Sequence, residues 1–197
     1  MRIGILGGSF DPPHRGHLRM AKAAQTALSL DEVIFLPAAR NPLKPRRTNA
    51  TANDRLEMVR LLIAGEPSFS VSDMELTRGG VSYTVDTLGE LHMVRPAEYW
   101  FLIGADGLKN FDEWKNPQRI LRLCRIGVAV RPPLQSSDDV AARLPVDFRD
   151  KMDVVPMVAD PTSSTDVRLA LREGKGLTDI VPANVLQYIR RQKLYTR

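Results

Sequence analysis

Cysteine is almost absent from this chain of 197 residues: Cys124 stands alone, so no internal disulfide can form and no set of thiolates can hold a metal. It lies in the apolar pattern ILRLCRIGVAV, where core packing is the expected role. Long hydrophobic runs are missing too. No segment approaches the roughly 20 apolar residues of a membrane-spanning helix, and the apolar stretch in MRIGILGGSFDPPH is too short for the hydrophobic part of a secretion signal. A cytoplasmic protein with no membrane partner is expected. Aromatics make up 6% of the chain and do not cluster with basic residues as in RNA-binding strand motifs. The basic excess, 28 Lys and Arg against 23 Asp and Glu, is spread along the sequence and fits a phosphate-bearing small molecule as well as nucleic acid. There is no repeat and no low-complexity tract.

With 43% hydrophobic and 26% charged residues the composition is that of a globular protein, and one domain over residues 1–197 is the expectation. Residues 2–7 (RIGILG) read as a strand, and residues 17–28 have apolar positions at helical spacing. EVIFLP (32–37) reads as a buried strand stopped by Pro37, followed by a basic, proline-punctuated loop over 38–50. Thr51 precedes Asp54 at capping-box spacing, and Leu56, Val59, Leu62 and Ile63 form a helical face that ends at Gly65. The pattern continues with a strand over 69–76, a helix over 84–91, a strand over 98–104, a helix over 116–124 and a strand over 126–130. After an irregular region rich in Pro, Ser and Asp comes a short strand, DVVP (153–156). One helix then starts near Ser163 to Thr165 and runs to Gly174; another begins with Pro182 and carries Val185, Leu186 and Ile189. Alternating strands and helices imply a doubly wound α/β fold with a parallel sheet, because each crossover must return over the sheet before the next strand can pair. Ligands of such folds sit beyond the carboxyl ends of the strands, which directs attention to the loops after strands 1, 2, 4 and 5.

The first of these loops is GGSFDPPHRGHL (7–18). It is neither a GxGxxG fingerprint nor a P-loop. Gly7 and Gly8 permit a tight turn and close approach of the backbone to a ligand. His14 and His17, three apart at a helix start, can share one face and donate to one polyphosphate beside the positive end of the helix. The alternative is that one histidine caps the turn while the other packs. A zinc site would need a third ligand that this loop does not supply.

His14-Arg15-Gly16-His17 resembles the HxGH motif of a nucleotidyltransferase superfamily, and the longer string is similar to that of bacterial nicotinate-nucleotide adenylyltransferases. The resemblance implies a Rossmann-like nucleotidyltransferase fold. It also implies ATP and nicotinate mononucleotide as partners, Mg²⁺ arriving with ATP, and no protein metal site. TSSTDVR (162–168) resembles the family's second signature, which assigns Ser163, Ser164, Thr165 and Arg168 to the triphosphate together with Gly7, Gly8, Ser9, Phe10, His14 and His17. His14, His17 and Arg168 would be the catalytic residues. In GADGLKNFDEW (104–114) the resemblance puts Gly104 on the ATP side, Asp106 on ribose and Trp114 on the pyridine ring. VSYTVDTL (81–88) is similar to the family's SYTxxTL, which implies that Tyr83 and Thr84 approach the mononucleotide through backbone N–H groups. In the loop after strand 2 the match gives Asn41 and Lys44, although the chain reads Pro42-Leu43-Lys44 where the family often has PPH followed by a base. Arg131 corresponds to the family's adenine-side loop. Trp100, inside an apolar strand, is expected in the core.

The reaction so implied is attack by the mononucleotide phosphate on the α-phosphorus of ATP, giving nicotinate adenine dinucleotide and pyrophosphate in NAD biosynthesis. Two alternatives remain at this stage. One is an adenylyltransferase of the same fold acting on nicotinamide mononucleotide or phosphopantetheine. The other is a basic nucleic-acid-binding protein.

Overall fold

The structure is a computed structural model describing residues 1–44, 48–108, 110–130, 146–158 and 162–196. Six strands, β1 (Arg2–Gly8), β2 (Glu32–Pro37), β3 (Phe69–Val71), β4 (Glu98–Gly104), β5 (Arg125–Val130) and β6 (Met152–Pro156), form one sheet in the order β3-β2-β1-β4-β5-β6. Every pairing is parallel. The chain winds outward from β1 in one direction and then restarts at β4 in the other, so the loops after β1 and β4 part at the centre of the sheet and leave a crevice.

The strands are near-continuous apolar runs because both faces are covered. Alternate side chains go to opposite faces. Ile3 and Ile5 of β1 and Tyr99, Phe101 and Ile103 of β4 join Val85, Leu88 and Leu91 of α4 (Thr84–Val94) and Ile120 and Leu121 of α6 (Pro117–Leu123). Leu6, Val33, Phe35, Trp100 and Leu102 face the other way. There they meet α1 (Arg15–Leu28), α2 (Ala52–Leu62), α7 (Ser164–Arg172) and α8 (Ala183–Arg191). Gly4 has a packing reason: a Cβ there would stand 2.7 Å from Leu30 Cδ1 and 3.2 Å from Leu102 Cδ1, so a larger residue would make these side chains shift.

Most expected elements are found within a residue or two of their expected limits. The strand expected over 69–76 is a correction: only Phe69–Val71 pairs, and the chain then turns into a short helix, α3 (Met74–Arg78). β3 lies at the sheet edge with β2 as its sole neighbour, and its pairing stops at Phe35; past that point Met74, Glu75 and Leu76 follow their helix propensity. Residue 65, expected to end α2, lies three residues beyond the helix with φ 90°. Thr51 does cap α2, its Oγ accepting from Asp54 N–H at 3.2 Å. Cys124 is buried, and burial pushes its thiol up to about 12.

Candidate active site

Two adjoining clefts open over the carboxyl edge of the sheet. The larger, about 840 Å³, is bordered by Ser9, His14, His17, Lys44, Ser163, Ser164, Thr165 and Arg168. The smaller, about 330 Å³, is bordered by Gly7, Gly8, Asn41, Tyr83, Thr84 and Trp114. His17, Met20 and Gly104 border both. The two signatures of the sequence, 148 residues apart from His14 to Thr162, thus face one cleft.

His14 is the N-cap of α1, and the two histidines bond reciprocally: the His14 backbone N–H donates to His17 Nδ1 at 3.2 Å, and the His17 backbone N–H donates to the His14 carbonyl at 3.0 Å. Their ring centroids are 3.9 Å apart. Capping and ligand binding are therefore not alternatives. Because His17 Nδ1 accepts, a neutral His17 carries its proton on Nε2, which makes that nitrogen a donor. Phe10, expected to touch ATP, is only 1% exposed; its ring packs edge-on against His17 with centroids 5.0 Å apart. A side chain on Gly8 would meet that ring at 3.2 Å. Phe10 thus supports His17 from beneath, and its backbone holds φ 48°, a left-handed value uncommon outside glycine.

At the start of α7 the hydroxyls divide their work. Ser163 caps the helix, accepting from Asp166 N–H at 3.2 Å and donating to the Asp166 carboxylate at 2.6 Å. Ser164 donates to the Pro12 carbonyl at 2.9 Å. Both protons are committed within the protein, so what this turn offers a ligand is the Thr165 hydroxyl and the N–H groups that precede the first helical bond. Arg168 is held by the Asp11 carbonyl at 2.7 Å and Thr165 Oγ at 3.1 Å, leaving further guanidinium donors on the cleft side. Arg172, four residues on and not singled out in the sequence, borders the same cleft.

Beneath the first loop lies a polar hub that sequence reading missed. Asp11 is 5% exposed and accepts from Asn49 N–H (2.7 Å), Asn49 Nδ2 (3.1 Å), Ala50 N–H (3.0 Å) and Tyr195 Oη (2.8 Å). Burial pushes its pKa up, but these donors together outweigh burial and hold it below the usual carboxylate range. Arg55, 1% exposed, donates to the carbonyls of Ser9 and Ala38 at 2.8 Å each. One signal was available: Arg55, Val59 and Leu62 share one stripe of α2, and a charge on an apolar stripe requires partners.

In the smaller cleft Trp114 is half-buried, its ring perpendicular to Phe101 (87°) at 5.7 Å and tilted on Phe111 at 5.3 Å. Trp100 is core, as expected, at 3% exposure. Tyr83, rather than Thr84, is the N-cap of α4, so the first free N–H groups of that helix belong to Thr84 and its neighbour. Several expectations shift. Gly7 and Gly8 border the smaller cleft and not the larger one, while Lys44 borders the larger and Asn41 the smaller. Asp106 is exposed on α5 (Ala105–Leu108) and borders neither cleft. Arg131 lies outside the described residues. The clefts also include Glu75, Ser82 and Lys115, none of which the sequence had suggested.

Residues 5–170 match the model of the cytidylyltransferase-like family. The chain is 40% identical to a protein of Geobacter metallireducens described as a probable nicotinate-nucleotide adenylyltransferase, over 100% of this chain and 99% of that one. It is 38% identical to one of the same description from Geotalea daltonii, over 99% and 98%. Among solved structures it is similar to Plasmodium falciparum nicotinic acid mononucleotide adenylyltransferase complexed with NaAD, with a TM-score of 0.76, 18% identity, and coverage of 98% and 97%.

Proposed function

The chain belongs to the cytidylyltransferase-like family, and from that premise we propose that it transfers the adenylyl group of ATP to nicotinate mononucleotide, giving nicotinate adenine dinucleotide and pyrophosphate. The observation that carries this reading is the pair of adjoining clefts sharing His17 and Gly104. One is lined by imidazoles, a lysine and arginines, and the other by aromatic rings and a helix start. A triphosphate suits the first, a pyridine nucleotide the second, and the bond to be made falls where they meet. The 38–40% identity of the two bacterial relatives over essentially the whole chain favours the same substrates.

The mononucleotide phosphate is already an anion, so its attack in line on the α-phosphorus needs no strong base. The work of the protein is positioning and charge stabilisation. His14 and His17 would hold the α-phosphate region, His17 through its Nε2–H, while Arg168 and Thr165, with Lys44, take up charge on the departing pyrophosphate. Trp114 offers its ring to the pyridinium, which gains stacking and cation–π attraction. Phosphate oxygens are suited to carry Mg²⁺ in with ATP, where the ion would neutralise the polyphosphate. Among the described residues no group of three or more His, Cys, Asp or Glu side chains could hold a metal, and the Asp11 oxygens are occupied by four donors.

The N–H groups at the start of α4 suit a carboxylate on the pyridine ring, whereas a carboxamide turns its NH₂ toward one of them. An unpaired buried donor costs about 1–3 kcal/mol, so this one conflict gives a preference of about 10- to 10²-fold for the acid. The test is kcat/KM for nicotinate and nicotinamide mononucleotides at fixed ATP and Mg²⁺. A ratio near unity would remove the acid-specific assignment.

A further inference from the structure

Behind the smaller cleft lies a buried chain of hydrogen bonds that ties Ser82 and Thr87 of the SYTVDTL segment to Glu75. Glu75 of α3, Ser82 of the turn and Thr87 of α4 are 5%, 8% and 1% exposed. Thr87 Oγ accepts from Arg78 Nη2 at 2.8 Å and donates to Glu75 Oε1 at 2.6 Å. Ser82 Oγ accepts from Ala39 N–H at 2.9 Å and is hydrogen-bonded to the Glu75 carboxyl. Ser82 also donates its own N–H to the Arg40 carbonyl at 2.9 Å. Each hydroxyl already receives one donor, so its own proton goes to Glu75, and Glu75 is the common acceptor.

This wiring joins the two walls of the smaller cleft. One wall is the loop after β2, with Ala38 and Asn41; the other is Ser82, Tyr83 and Thr84, and Glu75 itself borders the space between them. On the reading that this cleft takes the mononucleotide, we infer that Glu75 is a positioning residue that fixes mononucleotide affinity by locking Ser82 to the loop after β2. It serves the rigid first placement that substrate orientation requires. The larger cleft does not include Glu75, Ser82 or Thr87, so ATP binding should be insensitive to it.

The test compares wild type, Glu75→Gln, Ser82→Ala and the double variant, reading KM for nicotinate mononucleotide, KM for ATP, kcat and Tm. Glutamine keeps the shape but offers one acceptor oxygen and an NH₂, so one hydroxyl proton loses its acceptor. Glu75→Gln should raise KM for the mononucleotide about tenfold, the effect of losing one buried bond, with KM for ATP within about twofold. Ser82→Ala should do the same, and the double variant should be no worse than the more affected single one, because the two act as one unit. Equal rises in both KM values, an unchanged mononucleotide KM, or strictly additive effects would overturn the inference. Should Glu75→Gln fail to fold, the KM split of Ser82→Ala decides alone. A wild-type enzyme that makes no dinucleotide removes the substrate reading itself, and this inference with it.

Discussion

Asp11→Asn removes one charge, keeps the shape of the side chain and strikes the joint that holds the phosphate cleft together. Oδ2 of Asp11 takes both donors of Asn49, at 2.7 and 3.1 Å, while Oδ1 takes Ala50 N–H at 3.0 Å and the Tyr195 hydroxyl at 2.8 Å. Whichever way asparagine turns, its NH₂ faces two of these donors. Tyr195 can rotate its hydroxyl and the Asn49 side-chain amide can flip, each to accept instead; the backbone N–H groups of Asn49 and Ala50 cannot. One or two buried donors left unpaired, at about 1–3 kcal/mol each, put the loss near 2–4 kcal/mol. Arg55, buried nearby and stabilised in its charged form by the Asp11 carboxylate, loses that support as well.

The pKa of Asp11 lies below its ordinary value, so its contribution is fully present above the unfolded carboxylate value of about 3.9 and is lost as pH falls through the lower folded value. Urea unfolding of wild type and Asp11→Asn should therefore show the full difference at pH 7, with the gap closing only below the usual carboxylate range. Activity should fall with it, because the Asp11 carbonyl holds Arg168 at 2.7 Å. A stability difference under about 0.5 kcal/mol at pH 7, the range of an ordinary surface change, would mean that Asp11 does not hold this joint together.

His17→Ala should lower kcat by about 10²–10³, the value of one oxyanion-type donor, while costing little more stability than a helix cap, about 1 kcal/mol; wild-type kcat at saturating ATP would contradict the assignment. Trp114→Ala should weaken the mononucleotide by about 0.5–2 kcal/mol with KM for ATP nearly unchanged, and equal weakening of both would make Trp114 a core residue only. Cys124, buried and with its thiol pushed up to about 12, should not react with a disulfide reagent at pH 8 until the protein unfolds, a comparison read by absorbance with and without denaturant.

Where an arrangement rests on neighbours in the chain, the sequence displayed it. His14 and His17 are three apart on one helix start, Ser163 caps its own helix, and period-2 alternation in β4 separates Phe101 from Trp100. What could not be read depends on partners far along the chain. Asp11 stood in the quoted motif, yet its partners lie 38 to 184 residues away, and no local pattern brings them together. Glu75 was hidden by a wrong period: an alternating DMEL read as strand conceals a helix that turns a carboxylate inward. Asp106 is the opposite case: its motif gives it a role on ribose, while its exposed side chain borders neither cleft.

Adenylyl transfer between the two adjoining clefts fixes where each phosphorus of ATP must go, and a labelled phosphate follows it. ATP labelled on the α-phosphate, incubated with Mg²⁺ and nicotinate mononucleotide, should deliver its label to nicotinate adenine dinucleotide, while label on the γ-phosphate should leave as pyrophosphate. Label from the α-phosphate that remains in ATP or appears only in AMP would contradict the account.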